Sequence, residues 1–359
     1  MDRTLAQILE LARWAPSGDN TQPWRFEILD ARRLVVYGHD TRDYCVYDLD
    51  GHPSQMSIGA LLETMAIAAS TVQLAMVATR REQAPDTEPT IDVSFLPAPA
   101  LEADPLADYI LPRSVQRRPL SRRPLTISEK TTLSAALPPG YAVLWLEGHQ
   151  RSAAARLMFR NAKLRLTMPE AHAVHRSIIA WGQRFSEDRI PEQALGVDPL
   201  TGKLMRWVMQ DWRRVAFFNT WLAGTLAPRL QMDWLPSLAC AAHFVLAAER
   251  HPQRIDDYLA AGRAMQRFWL TATALGLQLQ PEMTPLIFSR YVREGRRFSD
   301  TPGMQERAAA LSEAGAALVG AQAWEAAVFM GRIGAGPPAR ARSTRRPLAE
   351  LLITTGGGP

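Results

Sequence analysis

A short polar segment near the start of the chain carries residue types that can recognise a small heterocyclic ligand. Its members are Ser17, Asp19, Asn20, Thr21 and Gln22. Short side chains that both donate and accept hydrogen bonds suit a flat polar heterocycle. The same residue types also favour tight turns for local reasons. The residues alone leave both interpretations open.

The order of residues in this segment resembles a known family motif. Residues 15–24 read Ala-Pro-Ser-Gly-Asp-Asn-Thr-Gln-Pro-Trp, which is similar to the flavin-contacting loop of the nitroreductase superfamily. Members of that family bind FMN, and the loop typically reaches the flavin across a dimer interface. The resemblance implies that Pro16, Ser17 and Asn20 contact the flavin here, with Gln22 in support.

An arginine-rich segment resembles the family's phosphate-binding motif. In relatives that motif lies upstream of the loop, but here only fourteen residues precede the loop, and the match is found downstream at residues 113–117. The resemblance implies that Arg113, Ser114 and Arg117 hold the FMN phosphate. Guanidinium groups suit that task because they donate paired, charge-assisted hydrogen bonds. The alternative is a solvated basic loop.

Two later stretches extend the resemblance. Thr284 lies where relatives bring backbone N–H groups to the flavin N5, although the glycine common in relatives is missing here. The basic stretch 340–351 resembles the C-terminal segment that returns to the phosphate. Arg345 is its first candidate and Arg346 its second.

The length and the motif order predict a pseudo-dimer, a single chain whose two lobes take the places of the two subunits in the family's homodimer. The chain has 359 residues, whereas a single family unit resembles one ordinary domain of roughly 200 residues. This arrangement resembles the Acg-like branch of the superfamily. We expect a lobe of residues 1–110 that donates the loop and a lobe of residues 111–359 that donates the phosphate cradle, with a helical lid at about 151–236. One FMN per chain follows, because the loop motif has no second copy.

The resemblance implies an α+β nitroreductase-like fold with central mixed β-sheets flanked by helices. Independently, the apolar residues at positions 5–12 recur at helical spacing ahead of the loop. After the loop, residues 24–29 alternate between apolar and polar side chains, and together with the partner strand at 34–37 they predict a β-hairpin. These elements would hold the loop at both ends.

Other elements follow from the same patterns. Residues 57–75 predict a buried helix rather than a membrane span, because polar residues such as Glu63 interrupt them. Thr126 and Glu129 stand at capping-box spacing before a helix, and Gly276 suits the end of another. Further strands are expected at 91–96, 142–146 and 242–247, and the terminal residues 354–359 read as a disordered tail.

Composition limits the function classes. The net charge is +5, but its densest clusters are already assigned to phosphate, so we expect no nucleic-acid partner. Because the apolar stretch at 57–75 reads as a buried helix, we also expect no membrane partner. Two cysteines are too few for a disulfide scaffold, and a cytoplasmic location is the default expectation. His172, His175 and Glu170 lie close in sequence, but no further ligand motif completes a metal site.

These features predict an FMN-dependent oxidoreductase of the nitroreductase type. NAD(P)H would be the reductant, and a quinone, nitroaromatic or other conjugated small molecule would be the electron acceptor. No side chain is assigned as a catalytic acid or base, because the flavin carries the chemistry. The alternatives are an FMN-sequestering protein with a closed site, a flavin-dependent dehydrogenase of specialised metabolism, or a basic interaction protein without flavin.

The aromatic residues of the lid could cover the flavin or simply pack the lid helices together. Pseudo-dimeric chains could also associate into a further homodimer.

Overall fold

A computed structural model describes residues 1–222 and 224–353. The predicted terminal tail lies outside the described residues. The α-helices are α1 (Arg3–Ala12), α2 (His52–Ser70), α3 (Ile127–Ala135), α4 (His149–Leu166), α5 (Pro169–Ile178), α6 (Pro199–Val208), α7 (Trp212–Trp221), α8 (Leu226–Pro228), α9 (Leu235–Leu238), α10 (Ile255–Ala274), α11 (Thr284–Arg293), α12 (Met304–Val319), α13 (Ala321–Glu325) and α14 (Leu348–Leu351). The strands are β1 (Trp24–Ile28), β2 (Arg33–Gly38), β3 (Leu74–Arg80), β4 (Thr90–Pro97), β5 (Tyr141–Leu146), β6 (Ile179–Ala180), β7 (Phe185–Ser186), β8 (Ile190–Pro191), β9 (Ala242–Ala248), β10 (Leu277–Pro281), β11 (Ala327–Ala335) and β12 (Arg342–Ser343). Short 3₁₀ turns occupy Gly18–Asn20, Pro105–Tyr109 and Glu192–Ala194, and a π-helical turn occupies Arg229–Trp234.

Two four-stranded sheets organise the α+β fold. The first has the order β1-β2-β4-β3 and the second β10-β11-β9-β5. Every pairing within these two sheets is antiparallel. The expectation of mixed sheets is therefore wrong for both. In the first sheet the reason is local, since the turn between β1 and β2 is too short for the crossover that parallel strands require.

The helix and the hairpin around the polar loop are confirmed. α1 begins after Asp2, whose side chain accepts hydrogen bonds from the Thr4 and Leu5 N–H groups and so caps the helix. Its apolar stripe packs against the first sheet and α2. In the hairpin, Trp24 pairs with Gly38. The loop is thereby anchored at both ends in a packed core.

The predicted helix at 57–75 is shifted in the structure. α2 ends at Ser70, and Gln73 takes a left-handed conformation with φ 54°. The chain then forms β3, in which Leu74 pairs with Pro97 of β4. The apolar run therefore contains a helix, a turn and the start of a strand, because periodicity does not separate two adjacent buried elements.

Helices α2 and α10 cross at close range and join the two sheet regions. A Cβ atom on Gly59 would lie 2.0 Å from the Leu259 carbonyl oxygen, and one on Gly262 would lie 2.0 Å from the Met56 carbonyl oxygen. Both glycines are therefore needed for the approach of the two backbones. Ile255 of α10 packs into the same core cluster as the first sheet.

Two predicted helix boundaries and the course of the C-terminal segment complete the fold. The capping box at Thr126 and Glu129 is confirmed at the start of α3, and Gly276 follows α10 with φ +73°. Among residues 1–222 and 224–353, no helix combines the length and apolarity needed to cross a membrane. The C-terminal segment returns to the first sheet, where the Ile353 N–H donates to the Phe26 carbonyl at 2.8 Å.

Candidate functional site

A large cavity lies where the polar loop, the arginine-rich segment and the helical lid meet. Its volume is about 620 Å³, within the ~300–1,000 Å³ range of small-molecule sites. The residues predicted for the site that line it are Pro16, Ser17, Asn20, Arg113, Ser114, Arg117, Thr284 and Arg345. Two predicted residues, Gln22 and Arg346, are not among the lining residues.

The polar loop is held by its own hydrogen bonds. Asp19, Asn20 and Gln22 all have positive φ angles, of 51°, 65° and 51°. The Gln22 N–H donates to the Ser17 hydroxyl at 3.0 Å. The fully buried Gln22 side chain donates to the Glu187 carbonyl at 2.8 Å and accepts from the backbone N–H of residue 346 at 3.0 Å. Gln22 thus ties the loop to the lid and the C-terminal segment.

Asn20 lines the cavity, but its side-chain amide bonds to protein groups. Its Nδ2 donates to the Glu187 and Thr344 carbonyls at 3.0 and 3.2 Å. Its Oδ1 accepts from Arg345 Nη1 at 2.8 Å. In this structure, Asn20 positions Arg345.

Three guanidinium groups converge on one wall of the cavity. Arg113 is 3 % exposed and Arg345 is 8 % exposed, and Arg342 lines the cavity beside them. Within the described residues none of the three forms a salt bridge with a carboxylate. Arg113 Nε and Arg342 Nε are buried without a hydrogen-bond partner. This wall therefore carries uncompensated positive charge directed at the cavity.

The electrostatics of the cluster reflect this lack of counter-charge. Burial, together with the charges of Arg345 and Arg342, lowers the pKa of Arg113 well below its ordinary value. Burial and the charges of Arg342 and Arg13 lower the pKa of Arg345 to about 9. A bound anion would relieve both effects, and a phosphate offers acceptors for several guanidinium donors at once.

Aromatic rings and backbone carbonyls hold the guanidinium groups in place. Arg113 lies over the Trp269 ring at 4.6 Å and donates to the Trp14 carbonyl at 3.0 Å. Arg342 lies over the Trp14 ring at 5.2 Å, and Arg345 donates to the Ala15 carbonyl at 3.0 Å. None of these partners carries a negative charge.

The two other arginines predicted for the site differ in position. Arg117 lines the cavity, where burial lowers its pKa to about 10 against the opposing effect of Asp19. Arg346 instead points to the surface, with its guanidinium 3.7 Å from Asp188 and 3.4 Å from Glu350. Its charge is therefore paired outside the cavity.

Thr284 lies on the part of the cavity wall that residues 280–284 form. Its hydroxyl donates to Asn161 Oδ1 at 2.5 Å, and it is the first residue of α11. The N–H groups of a first helical turn lack intrahelical acceptors. Nearby, Gln280 Oε1 is buried on the cavity wall without a partner. This part of the wall offers polar backbone and side-chain groups, and it also includes Glu282.

A buried ionic cluster next to this wall was not predicted from the sequence. Glu282 accepts from His243 Nδ1 at 2.6 Å and from Arg332 Nη1 at 3.1 Å. Burial disfavours the imidazolium, but the Glu282 charge outweighs it and raises the pKa of His243 to about 10. The sequence does contain a signal for this cluster, because His243 and Arg332 both lie within apolar runs. Charged side chains are buried in such runs only when they are paired, so the two residues indicate a buried ionic partner.

The lid forms the rest of the cavity wall. Arg165 pairs with Asp233 at 2.9 Å, and the Tyr47 hydroxyl lies 2.9 Å from His175 Nε2. Burial lowers the pKa of His175 to about 3, so its ring is neutral near pH 7. The apolar lining residues on α6 and α7 include Leu204, Met205, Val208, Val215 and Phe218.

His172 and Glu170, which lie close together in sequence, bond to separate partners in the structure. His172 Nε2 bonds to the Met209 carbonyl at 2.9 Å, and Glu170 accepts from the Ser299 hydroxyl at 2.9 Å. A different group, formed by Asp50, His52 and Glu294, brings its ligand atoms within 4.8 Å. Asp50 already forms a buried ion pair with a guanidinium of α11.

One comparison with known families covers the polar loop. Residues 2–44 match the model of the nitroreductase family, and the match includes the polar loop and the hairpin. It supports the resemblance of this part of the chain to the nitroreductase superfamily. The crystal structure of a nitroreductase-like family protein from Bacillus cereus is similar, with 12% sequence identity, a TM-score of 0.35, and coverage of 71% of this chain and 97% of that chain. No curated protein matches the chain.

Proposed function

We propose that this protein is an FMN-dependent oxidoreductase of the nitroreductase type. The observation that carries the proposal is the group of uncompensated guanidiniums from Arg113, Arg342 and Arg345 on the wall of a cavity of about 620 Å³. A ligand with a phosphate at one end and a flat polar ring at the other would satisfy both this wall and the polar loop. The family match over residues 2–44 supports the choice of a flavin.

Each wall of the cavity has a role in this proposal. The guanidinium groups hold the phosphate, and Asn20 keeps Arg345 in position through its 2.8 Å hydrogen bond. Pro16 and Ser17 would contact the ring system, and Thr284 and Gln280, which also line the cavity, would supply polar groups beside it. Gln22 does not line the cavity and instead holds the loop through its hydrogen bonds to the Glu187 carbonyl and the backbone N–H of residue 346. Arg117 provides a further cation beside Asp19.

Bound FMN would accept and release a hydride at N5, which supplies the redox chemistry. The protein orients the reactants and excludes water. NAD(P)H would be the reductant, and the apolar surface of α6 and α7 would accommodate a quinone or nitroaromatic acceptor. The same enclosure favours the alternative of a flavin-sequestering protein with little turnover, because the lid helices form much of the cavity wall.

The first experiment is an FMN titration of the purified protein, followed by anaerobic addition of NADH or NADPH. We expect a bound-flavin spectrum that bleaches on reduction and returns when a quinone is added. Flavin that binds but stays oxidised with both nucleotides would favour the sequestering alternative. No flavin binding would exclude both proposals.

The phosphate site is tested by comparing FMN with riboflavin. We expect Arg345→Gln to weaken FMN binding by at least about tenfold, because charge-assisted hydrogen bonds contribute roughly 1.5–3 kcal/mol each. Its effect on riboflavin should be much smaller. The matched control is Arg118→Gln, an exposed arginine of the same basic segment. Equal losses for both ligands would contradict a phosphate role for Arg345.

A further inference from the structure

Helices α6 and α7 direct large apolar side chains outward. Leu200 is 77% exposed, Trp221 is 74% exposed and Phe217 is 53% exposed. Leu200, Leu204 and Trp207 follow one another at spacings of four and three residues, so they share one face of α6. On α7, Phe217 and Trp221 share a face in the same way.

The exposed side chains of the two helices form one continuous patch. The Trp207 ring centroid is 6.1 Å from that of Phe218, which is 6.1 Å from that of Phe217. Arg214 lies over the Trp207 ring at 4.5 Å and donates to its carbonyl. The apolar surface therefore crosses from one helix to the other. We call it the α6–α7 face, formed by Leu200, Leu204, Trp207, Phe217 and Trp221.

This face is bordered by positive charge. α6 and α7 contain Lys203, Arg206, Arg213 and Arg214 and no acidic residue. The acidic residues nearest in sequence, Asp198 and Asp211, cap the N-termini of the two helices. Asp211 also pairs with Arg213 at 2.9 Å, so Lys203, Arg206 and Arg214 supply the positive charge that no carboxylate balances among the described residues. Aromatic and aliphatic groups surrounded by Lys and Arg are the pattern of helices that lie in the interface of a membrane.

We propose that the α6–α7 face docks on the surface of an anionic lipid bilayer. A second copy of the chain is a poorer occupant, because a symmetric contact would place two faces of the same positive charge against each other. The expectation of no membrane partner rested on the buried helix α2, whereas this face is exposed and needs no membrane-spanning segment. The proposal does not depend on flavin binding.

Docking in this way would place the cavity next to the lipid. Leu204 and Phe218 belong to α6 and α7 and also line the cavity, as do Met205 and Val208. Leu204 would then belong both to the docking face and to the cavity wall, so the lipid surface would lie close to the cavity. An acceptor dissolved in the bilayer would reach the cavity by a short path.

The test is co-sedimentation of the full chain with large unilamellar vesicles. One set consists of phosphatidylcholine, and the other of phosphatidylcholine and phosphatidylglycerol in equal parts. We expect binding to the anionic vesicles that weakens as salt is raised, because screening reduces the attraction. The variants Leu200→Ser/Trp221→Ser and Lys203→Glu/Arg206→Glu should each weaken binding by at least about tenfold.

Matched controls change similar residues elsewhere on the surface. Ile127→Ser replaces an apolar side chain that is 85% exposed on α3, and Arg32→Glu reverses an exposed charge in the β1–β2 turn. Both should bind vesicles like the parent, and circular dichroism should confirm that all variants fold. Absence of binding to anionic vesicles, or binding unchanged in both double variants, would overturn the proposal. A dimeric parent that Leu200→Ser/Trp221→Ser converts to a monomer, without vesicle binding, would assign the face to a second copy instead.

Discussion

Arg113 combines deep burial with a charge that has no carboxylate partner among the described residues. A buried charge of this kind destabilises the ligand-free protein, since the desolvation cost is only partly offset by its hydrogen bond and its contact with Trp269. The same group gains most when an anion binds. Stability and ligand affinity are therefore opposed at this residue, a common feature of binding sites.

We expect Arg113→Met to stabilise the ligand-free protein by about 1–2 kcal/mol and to abolish the stabilisation by FMN. Urea unfolding in phosphate-free buffer, with and without FMN, measures both effects. Arg229→Met is the matched control, because Arg229 is also buried and lies over the Phe159 ring at 3.7 Å but does not line the cavity. It should leave the FMN effect intact. A ligand-free Arg113→Met protein that is less stable than the parent would assign Arg113 a structural role.

Asp19 makes the stability of the loop depend on pH. Burial raises the pKa of Asp19 from 3.8 to about 6, although Arg117 acts in the opposite direction. The folded state therefore binds the proton more tightly than the unfolded state. This contribution to stability is complete below about pH 4 and is lost as the pH rises through 6.

We expect Asp19→Asn to be more stable than the parent at pH 7.5 by about 1–2 kcal/mol, an amount reduced by partial solvent exposure. Asn also tolerates the left-handed backbone at this position. Urea unfolding at pH 4, 6 and 7.5 measures the difference, which should fall towards zero at the lowest pH. A difference that is constant across the three pH values would contradict a titrating Asp19.

At the level of elements, the crossing of α2 and α10 depends on two glycines. Gly262→Ala would place a Cβ atom 2.0 Å from the Met56 carbonyl oxygen, so the helices would have to separate. We expect a loss of at least about 3 kcal/mol in the free energy of unfolding, or failure to fold. Gly276→Ala is the contrast, because its Cβ would meet no atom within 4 Å but its φ is +73°. It should cost only about 1 kcal/mol. Equal costs measured by thermal or urea unfolding would contradict the role assigned to the crossing.

Several elements near the site could be predicted from sequence because their signals are local. The stripe of α1, the hairpin after the loop and the capping box of α3 each depend on residues a few positions apart. The boundary between α2 and β3 could not be placed, because both are buried and the turn at Gln73 contains no Gly or Pro. The sequence pattern distinguishes a helix from a strand only where one face of the element is buried and the other is exposed.

The candidate site was predictable in part for the same reason. The loop and the arginine-rich segment contain enough polar residues to stand out, and the structure brings most of them to one cavity. The role of Asn20 in holding Arg345 depends on a contact between segments more than 300 positions apart. The contact of Arg346 with Asp188 joins segments more than 150 positions apart. The Glu282 cluster likewise joins three strands or strand ends. No local pattern encodes such pairings.

At the scale of the whole molecule, one chain supplies both kinds of segment to a single cavity. The polar loop precedes the first sheet, Arg113 lies between the two sheets in sequence, and Arg345 comes from the C-terminal segment. That segment reaches back to the first sheet, where Leu351 is fully buried in its core. We propose that residues 1–110 and 111–359 correspond to the two halves of a pseudo-dimer, so that the site is complete without a second chain.

This arrangement predicts one FMN per chain, because the described residues contain one loop of this kind and one uncompensated arginine cluster. Heat release of the flavin, quantified by absorbance against amino-acid analysis, gives the ratio, and light scattering gives the particle mass. We expect one flavin per 39.9 kDa chain, retained when the protein is diluted until any dimer dissociates. The physical reason is that Arg113 and Arg345 both bond to the N-terminal part of the same chain, at Trp14 and Asn20 respectively. Dilution cannot separate segments of one chain. Two flavins per chain would mean a second site, and loss of flavin on dilution to monomers would mean that a partner chain completes the site.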